Sequence, residues 1–137
     1  MQFRIYYVFG AIALLLAIGV VYLVLKGRKD PGTILYKQEC ESCHMEDGSG
    51  LEELIPPLAR SDWLANNQDK LPCMIREGMT GPLVVNGVEY NGEMKPKDHL
   101  NESQIYNLIT YINTTWGNDH PRPNLRKVKE QLKLCPK

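Results

Sequence analysis

The chain has 137 residues, with 16 basic and 16 acidic side chains and no formal net charge at pH 7. This length suits one small domain with additional segments. The balanced charge argues against a nucleic-acid partner, which needs a basic surface. Residues 31–116 carry six basic and thirteen acidic side chains, whereas residues 117–137 carry six basic and two acidic ones. An acidic body followed by a basic tail bears on docking rather than on the fold.

An apolar stretch near the N-terminus is the first predicted element. Residues 5–25 contain no charged side chain, and as a helix they would span roughly 31 Å, close to the thickness of the hydrocarbon core of a bilayer. The alternative is a cleaved signal peptide, but no small-x-small cleavage site follows the stretch. We therefore predict that residues 1–30 form a single-pass transmembrane anchor. By the positive-inside rule, Lys26, Arg28 and Lys29 would place the following domain in the cytoplasm.

Short elements separated by turn residues follow the anchor. Asp30-Pro31-Gly32 starts a new unit. The pattern predicts, in order, a helix over 34–40 capped by Thr33, a loop over 45–62, a helical turn over 62–67, a helix over 71–77 ended by Gly78, and a loop over 93–99. Asn86-Gly87 predicts a two-residue hairpin turn between short strands at 83–85 and 88–90.

The clearest helix of the part after the anchor follows Asn101, with Gln104 three residues later as in a capping box. Its single apolar stripe consists of Ile105, Leu108, Ile109, Ile112 and Trp116, before Gly117 closes the helix. Residues 119–137 form a basic extension, which we expect to contain a helix over 125–134 and to pack on the domain. Because the strands are few and short, we predict an all-α domain over residues 31–118.

The run Cys40-Glu41-Ser42-Cys43-His44 carries the chemistry of the chain. Two thiols at C-x-x-C spacing can form thioethers with the two vinyl groups of one porphyrin, and the histidine that follows can ligate its iron. A zinc knuckle would need a second pair of ligands, and a thioredoxin-like motif would need a preceding strand. The run therefore predicts one covalent haem c. Such attachment is made outside the cytoplasm, so the motif overrides the orientation that the charges favour.

The sixth iron ligand has several candidates, which are Met74, Met79, Met94, His99 and His120. Met74 and Met79 lie on or beside the predicted helix 71–77, where methionine usually fills gaps in the core. Met94 lies in a predicted loop fifty residues after His44, which gives the chain enough length to wrap around a haem. We favour Met94, expect His99 to pack or to hydrogen-bond near that loop, and expect His120 to be solvated. A histidine–methionine pair raises the reduction potential of the iron.

Several motifs occur together, in the order Gly32-x-x-Leu35-Tyr36, Cys40-x-x-Cys43-His44, Asp47-Gly48-Ser49-Gly50, Pro56-Pro57-Leu58-Ala59, Ser61-Asp62-Trp63-Leu64, Gly81-Pro82, Asn86-Gly87-x-x-Tyr90-Asn91-Gly92-x-Met94, and Leu108-x-x-Tyr111-Ile112-x-x-x-Trp116-Gly117-Asn118. Residues 32–118 resemble class I monohaem cytochrome c, and most closely the membrane-anchored type of bacterial respiratory chains. The resemblance implies a small fold wrapped around one haem, with an N-terminal transmembrane helix outside the matching part.

The resemblance also implies roles for individual residues. It implies His44 and Met94 as axial ligands, and it places the Pro56 and Pro57 carbonyls near the ring of His44. It further implies that the helix near Tyr36 crosses the helix near Tyr111. One departure concerns the segment of the sixth ligand. In the family a proline usually follows the ligand methionine directly, whereas here Lys95 comes first and Pro96 second.

Two further cysteines, Cys73 and Cys135, remain in a domain expected outside the cytoplasm, where a disulfide between them is plausible. The alternative is two unpaired thiols. Trp63 and Tyr90 can donate hydrogen bonds to the haem propionates, but both are equally suited to packing with their polar ends at a surface.

The sequence predicts an electron-transfer protein rather than an enzyme, because it contains no nucleophile–base pair and no helical two-histidine zinc motif. It would act at the outer side of the bacterial cytoplasmic membrane, held there by residues 5–25. Its redox partners would be a quinol-oxidising complex or dehydrogenase upstream and a terminal oxidase or reductase downstream. The alternatives are a fixed subunit of a larger respiratory complex and a haem enzyme or gas sensor with an open sixth position.

Overall fold

The computed structural model describes residues 2–27 and 30–136. The chain divides into two compact units, Met1–Asp30 and Pro31–Lys137. The first unit is a single helix, α1 (Gln2–Lys26). The large apolar side chains from Tyr6 onwards are exposed along it, and by length and composition it is able to cross a membrane. Arg28 and Lys29, to which the positive-inside rule was applied together with Lys26, lie outside the described residues.

Helix α2 (Pro31–Glu39) begins the second unit. It starts earlier than the helix predicted over 34–40, so the prediction of Thr33 as its cap is wrong. Pro31 explains the difference, because the fixed φ angle of proline suits the first position of a helix, where no backbone N–H is needed. One face of α2 buries Gly32, Leu35 and Tyr36, and this face lies against helix α6 (Glu102–Asn113).

Helix α6 is the main packing element of the second unit. Its inner face buries Ile105, Leu108, Ile109 and Ile112, all with at most 6 % of their surface exposed. The predicted capping box is confirmed: the Asn101 side chain accepts a hydrogen bond from the backbone N–H of Gln104 at 3.0 Å. In return, the Gln104 side chain accepts one from the backbone N–H of Asn101 at 2.9 Å.

We expect the replacement Asn101→Ala to lower the free energy of unfolding by about 1 kcal/mol, because the backbone N–H of Gln104 in the first turn of α6 loses its acceptor. Asn101→Asp keeps the acceptor oxygen and serves as the matched control, with an expected change below roughly 0.5 kcal/mol. Denaturant unfolding of the haem-loaded protein measures both. Equal losses in the two variants would contradict the capping explanation.

The end of α6 differs from the prediction. The helix stops at Asn113, with Thr114 as its cap, so Trp116 lies beyond the helix with a positive φ of 55°. The side chains of Thr114 and Thr115 donate to the carbonyls of Thr110 and Tyr111, and such bonds compete with continued helix. Trp116 instead packs on two tyrosines, with ring centroids 4.7 Å from Tyr36 and 5.3 Å from Tyr111.

The crossing of α2 and α6 is therefore built on aromatic side chains. The Tyr36 and Tyr111 ring centroids lie 5.3 Å apart, as the resemblance to cytochrome c implies. Burial raises the pKa of the Tyr36 hydroxyl well above its usual value, so the hydroxyl stays protonated and donates to the Met45 carbonyl at 2.6 Å. This bond connects the helix crossing to the residue that follows His44.

The basic extension contains helix α7 (Leu125–Lys133), which buries Val128 and Leu132 against α6 and helix α5 (Leu71–Glu77). A disulfide joins Cys73 on α5 to Cys135 after α7, with their Cα atoms 5.3 Å apart. The remaining helices are short: α3 (Glu41–His44) follows α2 directly, and α4 (Asp62–Asn66) is capped by the Ser61 side chain.

Four short strands form two separate antiparallel pairs. Strand β2 (Leu83–Val85) pairs with β3 (Val88–Tyr90) through the predicted Asn86-Gly87 turn, whose φ angles are both positive. Strand β1 (Met79–Thr80) pairs with β4 (Glu93–Met94). The prediction of an irregular loop from residue 93 is therefore wrong at its start, because short pairings between distant segments leave no periodic pattern in the sequence.

Candidate haem-binding site

The second unit contains a cavity of about 380 Å³, which lies within the range of small-molecule and cofactor sites. Its walls are largely apolar and come from α3, α4, α5, α6 and all four strands. Every residue that the sequence analysis singled out for haem binding lines this cavity: Cys40, Cys43, His44, Pro57, Trp63, Tyr90 and Met94. The fold thus brings together residues that are up to fifty-four positions apart in the chain.

The C-x-x-C-H run lies at the end of α2 and along α3. The backbone N–H of Cys40 donates to the Tyr36 carbonyl at 2.9 Å, and the N–H groups of Cys43 and His44 donate back to the Cys40 carbonyl. This tight turn places Cys40, Cys43 and His44 in the wall of one cavity. Burial raises the pKa of the Cys40 thiol to about 12, whereas Cys43 is exposed. One attachment point is therefore deep and the other lies at the surface.

The imidazole of His44 is oriented by one hydrogen bond. Its Nδ1 lies 3.0 Å from the Pro56 carbonyl oxygen, which can only accept, so Nδ1 carries the proton. Burial holds the pKa of His44 below its usual value, so the ring is neutral and Nε2 keeps its lone pair. A backbone carbonyl on one ring nitrogen is the usual support for a histidine whose other nitrogen binds a metal.

Of the two prolines whose carbonyls the resemblance places near the ring, Pro56 is the residue that orients His44. The backbone N–H groups of Leu58 and Ala59 both donate to the Gly48 carbonyl, which turns the chain so that the Pro56 carbonyl faces the ring. Pro57 contributes to the cavity wall instead. The sequence could not separate the two, because adjacent prolines offer the same acceptor.

Three methionines line the cavity, namely Met74, Met79 and Met94. Among the described residues, His44 is the only histidine in the cavity wall, which leaves His99 and His120 outside it. Met79 was expected on or beside a helix, but it lies in β1 and pairs with Met94 in β4. No pattern in the sequence predicts this pairing. Because Met79 lies opposite Met94 and lines the same cavity, it is the natural comparison for Met94.

Gly78, known from the sequence only as a helix stop, supports the Met94 segment directly. It has a positive φ of 76°, and a Cβ atom built on it would collide with the Met94 carbonyl. A residue with a side chain would suffer both strain and a clash here. Glycine thus lets the end of α5 approach the backbone of β4 closely. This close packing fixes the position of Met94 in the cavity wall.

Two hydrogen-bond donors complete the site. Trp63 is half-buried on α4, and Tyr90 is buried at the end of β3 with 7 % of its surface exposed. Within the described part of the chain, neither the Trp63 indole N–H nor the Tyr90 hydroxyl has a protein hydrogen-bond partner. Both side chains line the cavity, so both donors are available to a ligand held there.

The family model for cytochrome c matches residues 30–116. The chain belongs to the cytochrome c family. The matched residues include the C-x-x-C-H run, the cavity walls and α6, and they end before the basic extension. The fold is that of a class I monohaem cytochrome c, and the donor set fits its cofactor: two thiols, a neutral imidazole and thioether sulfurs border one apolar cavity. As in the family, one haem c is bound covalently through the cysteines of the motif.

Curated relatives agree with this assignment. Cytochrome c-552 of Thermus thermophilus is 32 % identical over 90 residues, which are 63 % of this chain and 68 % of that protein. The cytochrome c subunit of alcohol dehydrogenase (quinone) from Gluconacetobacter polyoxogenes is 29 % identical over 104 residues, and from Gluconobacter oxydans 26 % over 108 residues. The chain spans only 20 % of the length of these two subunits.

Proposed function

We propose that this cytochrome c carries single electrons between respiratory components at the outer face of the bacterial cytoplasmic membrane. In this proposal His44 and Met94 are the axial ligands of the iron, and α1 is a single-pass anchor. The observation that carries the ligand assignment is the shared cavity, where a neutral imidazole and the Met94 segment meet. Electron transfer itself follows from membership of the cytochrome c family.

The residues of the chain prepare the site for this role. The bound haem supplies a one-electron Fe(III)/Fe(II) couple. The Pro56 carbonyl fixes the ring of His44 and makes Nε2 a better donor. The thioether of Met94 is a weaker donor that favours the ferrous state and raises the potential. Trp63 and Tyr90 are assigned as hydrogen-bond donors to the propionates, since both residues line the cavity.

An open sixth position would instead suit a haem enzyme or gas sensor, and spectroscopy distinguishes the two. We expect the reduced protein to resist carbon monoxide. The oxidised protein should show the weak far-red band that the resemblance to class I cytochromes implies for a Met–Fe(III) bond. Optical redox titration with carbon monoxide binding as a second readout tests this. Ready binding of carbon monoxide by the folded wild-type protein would favour the enzyme or sensor.

The assignment to the membrane rests on α1, a helix long and apolar enough to cross a bilayer. The outer orientation rests on the haem motif, because c-type attachment takes place outside the cytoplasm. We expect haem-stained full-length protein in the membrane fraction after a high-salt wash, and its N-terminal peptide in the mass spectrum. Removal of residues 1–30 should release the haem domain into the soluble fraction. A mature protein that lacks residues 5–25 would show that the stretch is a cleaved signal peptide.

The partners are proposed as classes. A quinol-oxidising complex or a dehydrogenase would reduce the haem, and a terminal oxidase or reductase would oxidise it. The similarity to cytochrome c subunits named for quinone alcohol dehydrogenases supports a second candidate, a fixed subunit of a larger complex. Gentle detergent extraction followed by native electrophoresis separates the two, because a free carrier migrates alone whereas a subunit migrates with its complex.

A further inference from the structure

Glu39, the last residue of α2, connects two parts of the haem site that are far apart in the chain. Its Oε2 lies 3.2 Å from Nζ of Lys97, and its Oε1 accepts from Nε2 of His99 at 3.1 Å. The Glu39 side chain is 19 % exposed and that of Lys97 is 24 % exposed, so this pair is partly shielded from water. The His99 side chain is 58 % exposed, so its bond to Glu39 lies nearer the solvent. The residue after Glu39 is Cys40, which carries the haem, and Lys97 follows Met94 by three positions.

The carboxylate is charged in this arrangement. The hydrogen bond from His99, and after it the Lys97 ammonium, hold the pKa of Glu39 below its usual value despite burial, which opposes them. A charged, shielded carboxylate with a donor on each oxygen is the arrangement in which hydrogen bonds are strongest and most directional. Surface pairs such as Lys37 with Glu46, whose side chains are 52 % and 80 % exposed, fix geometry far less.

Lys97 is also held through its backbone. Its N–H donates to the carbonyls of Ile75 and Arg76 on α5 at 3.0 and 3.1 Å, and its carbonyl accepts from the buried Leu100. On the other side of Met94, the pairing of β4 with β1 fixes the chain. The Met94 segment is thus fixed by the strand pair up to and including the methionine, and after it by Lys97.

The stretch between these two fixed points is where the chain departs from the family. Lys95 stands where a proline usually follows the ligand methionine, and Pro96 comes one residue later. Lys95 is exposed, and no ring fixes its φ angle, although the following Pro96 restricts it to extended conformations. The segment is therefore less stiff at the residue next to the ligand than it would be with a proline there. Stiffness that is missing locally has to come from contacts with other elements.

We propose that Glu39 is a positioning residue for the sixth ligand: by joining Lys97 and His99 to the end of the helix that directly precedes Cys40, it holds Met94 on the iron. This inference rests on the proposed ligand assignment. Glu39 and Lys97 border the cavity, but in this role Glu39 acts through Lys97 and His99 and not on the iron. It sets the distance between the haem-attachment helix and the ligand segment, and it replaces the stiffening that a proline at position 95 would provide.

The test compares variants of the full-length haem protein. In Glu39→Gln and in Lys97→Leu, loss of the charged bridge should raise the affinity of the reduced protein for carbon monoxide about tenfold and weaken the far-red band of the oxidised protein. Lys97→Arg keeps the charge and should rescue both properties. Glu130→Gln removes a different ion pair, to Arg126 at 3.0 Å on α7, and should behave as the wild type.

Two readouts separate positioning from general stability. A residue that acts only on stability would lower the melting temperature and leave carbon monoxide binding unchanged at temperatures where the protein is folded. If wild type shows the band and both Glu39→Gln and Lys97→Leu keep it together with resistance to carbon monoxide, the inference about Glu39 is overturned and the proposed ligand stands. If the wild type itself lacks the band, the ligand assignment fails and the inference fails with it.

Discussion

Replacement of Met94 by alanine is expected to open the sixth coordination position of the haem iron. The reduced variant should bind carbon monoxide readily, and the oxidised variant should lose the far-red band. The reduction potential should fall by on the order of 0.1 V, part of the ~0.8 V range over which axial ligands set haem potentials. The physical reason is the loss of a thioether, a soft donor that favours the ferrous iron. Optical redox titration measures the potential and the band in one experiment.

Met79→Ala is the matched control for this prediction. Met79 lies directly opposite Met94 in the strand pair, lines the same cavity and loses the same number of atoms on replacement. It should therefore show a similar loss of packing, on the order of 2 kcal/mol or more of unfolding free energy. Its far-red band and potential should stay close to those of the wild type. The reverse result, with the band lost in Met79→Ala and kept in Met94→Ala, would assign the sixth ligand to Met79.

Removal of the disulfide is expected to have the largest effect on stability. The double replacement Cys73→Ala with Cys135→Ala opens a loop whose ends are 62 residues apart. The chain-entropy model gives about 4 kcal/mol for a loop of this length. For a domain of this size, such a loss lowers the melting temperature by roughly 15–30 °C. Both residues are replaced together, so that no single thiol is left to form bonds between molecules.

The haem spectrum is the internal control for the disulfide experiment. Neither Cys73 nor Cys135 lines the cavity, so below the melting temperature the axial ligation should be unchanged. Wild-type protein treated with a reductant should match the double variant in stability. A loss below roughly 1 kcal/mol would show that the contacts of α7, through Val128 and Leu132, hold the extension without help from the bond.

The basic extension gains a defined role from these contacts. The family match ends at residue 116, yet α7 buries two apolar side chains on α5 and α6, and Lys129 reaches Glu102 on α6 at 3.5 Å. Helix α5 lies next to Gly78 and the Met94 segment. The extension therefore supports, from outside, the helix whose end packs against the Met94 segment.

The sequence by itself determined those features that depend on neighbouring residues. The C-x-x-C-H run consists of two thiols and an imidazole within five positions, so covalent haem attachment could be predicted from neighbouring residues alone. The Asn101–Gln104 capping box and the Asn86-Gly87 turn are equally local, and both were placed correctly. Membership of the cytochrome c family was also readable, because the motifs occur in a fixed order along residues 32–118.

Tertiary structure alone decided how distant segments support the site. Pro56 rather than Pro57 orients His44 because the chain turns around the Gly48 carbonyl. The end of α6 at Asn113 follows from side-chain bonds and from the packing of Trp116 on Tyr36. The pairing of Met79 with Met94 and the bridge from Glu39 to Lys97 join residues that no periodicity relates. Such contacts depend on how the elements pack in three dimensions, and that packing leaves no pattern in one sequence.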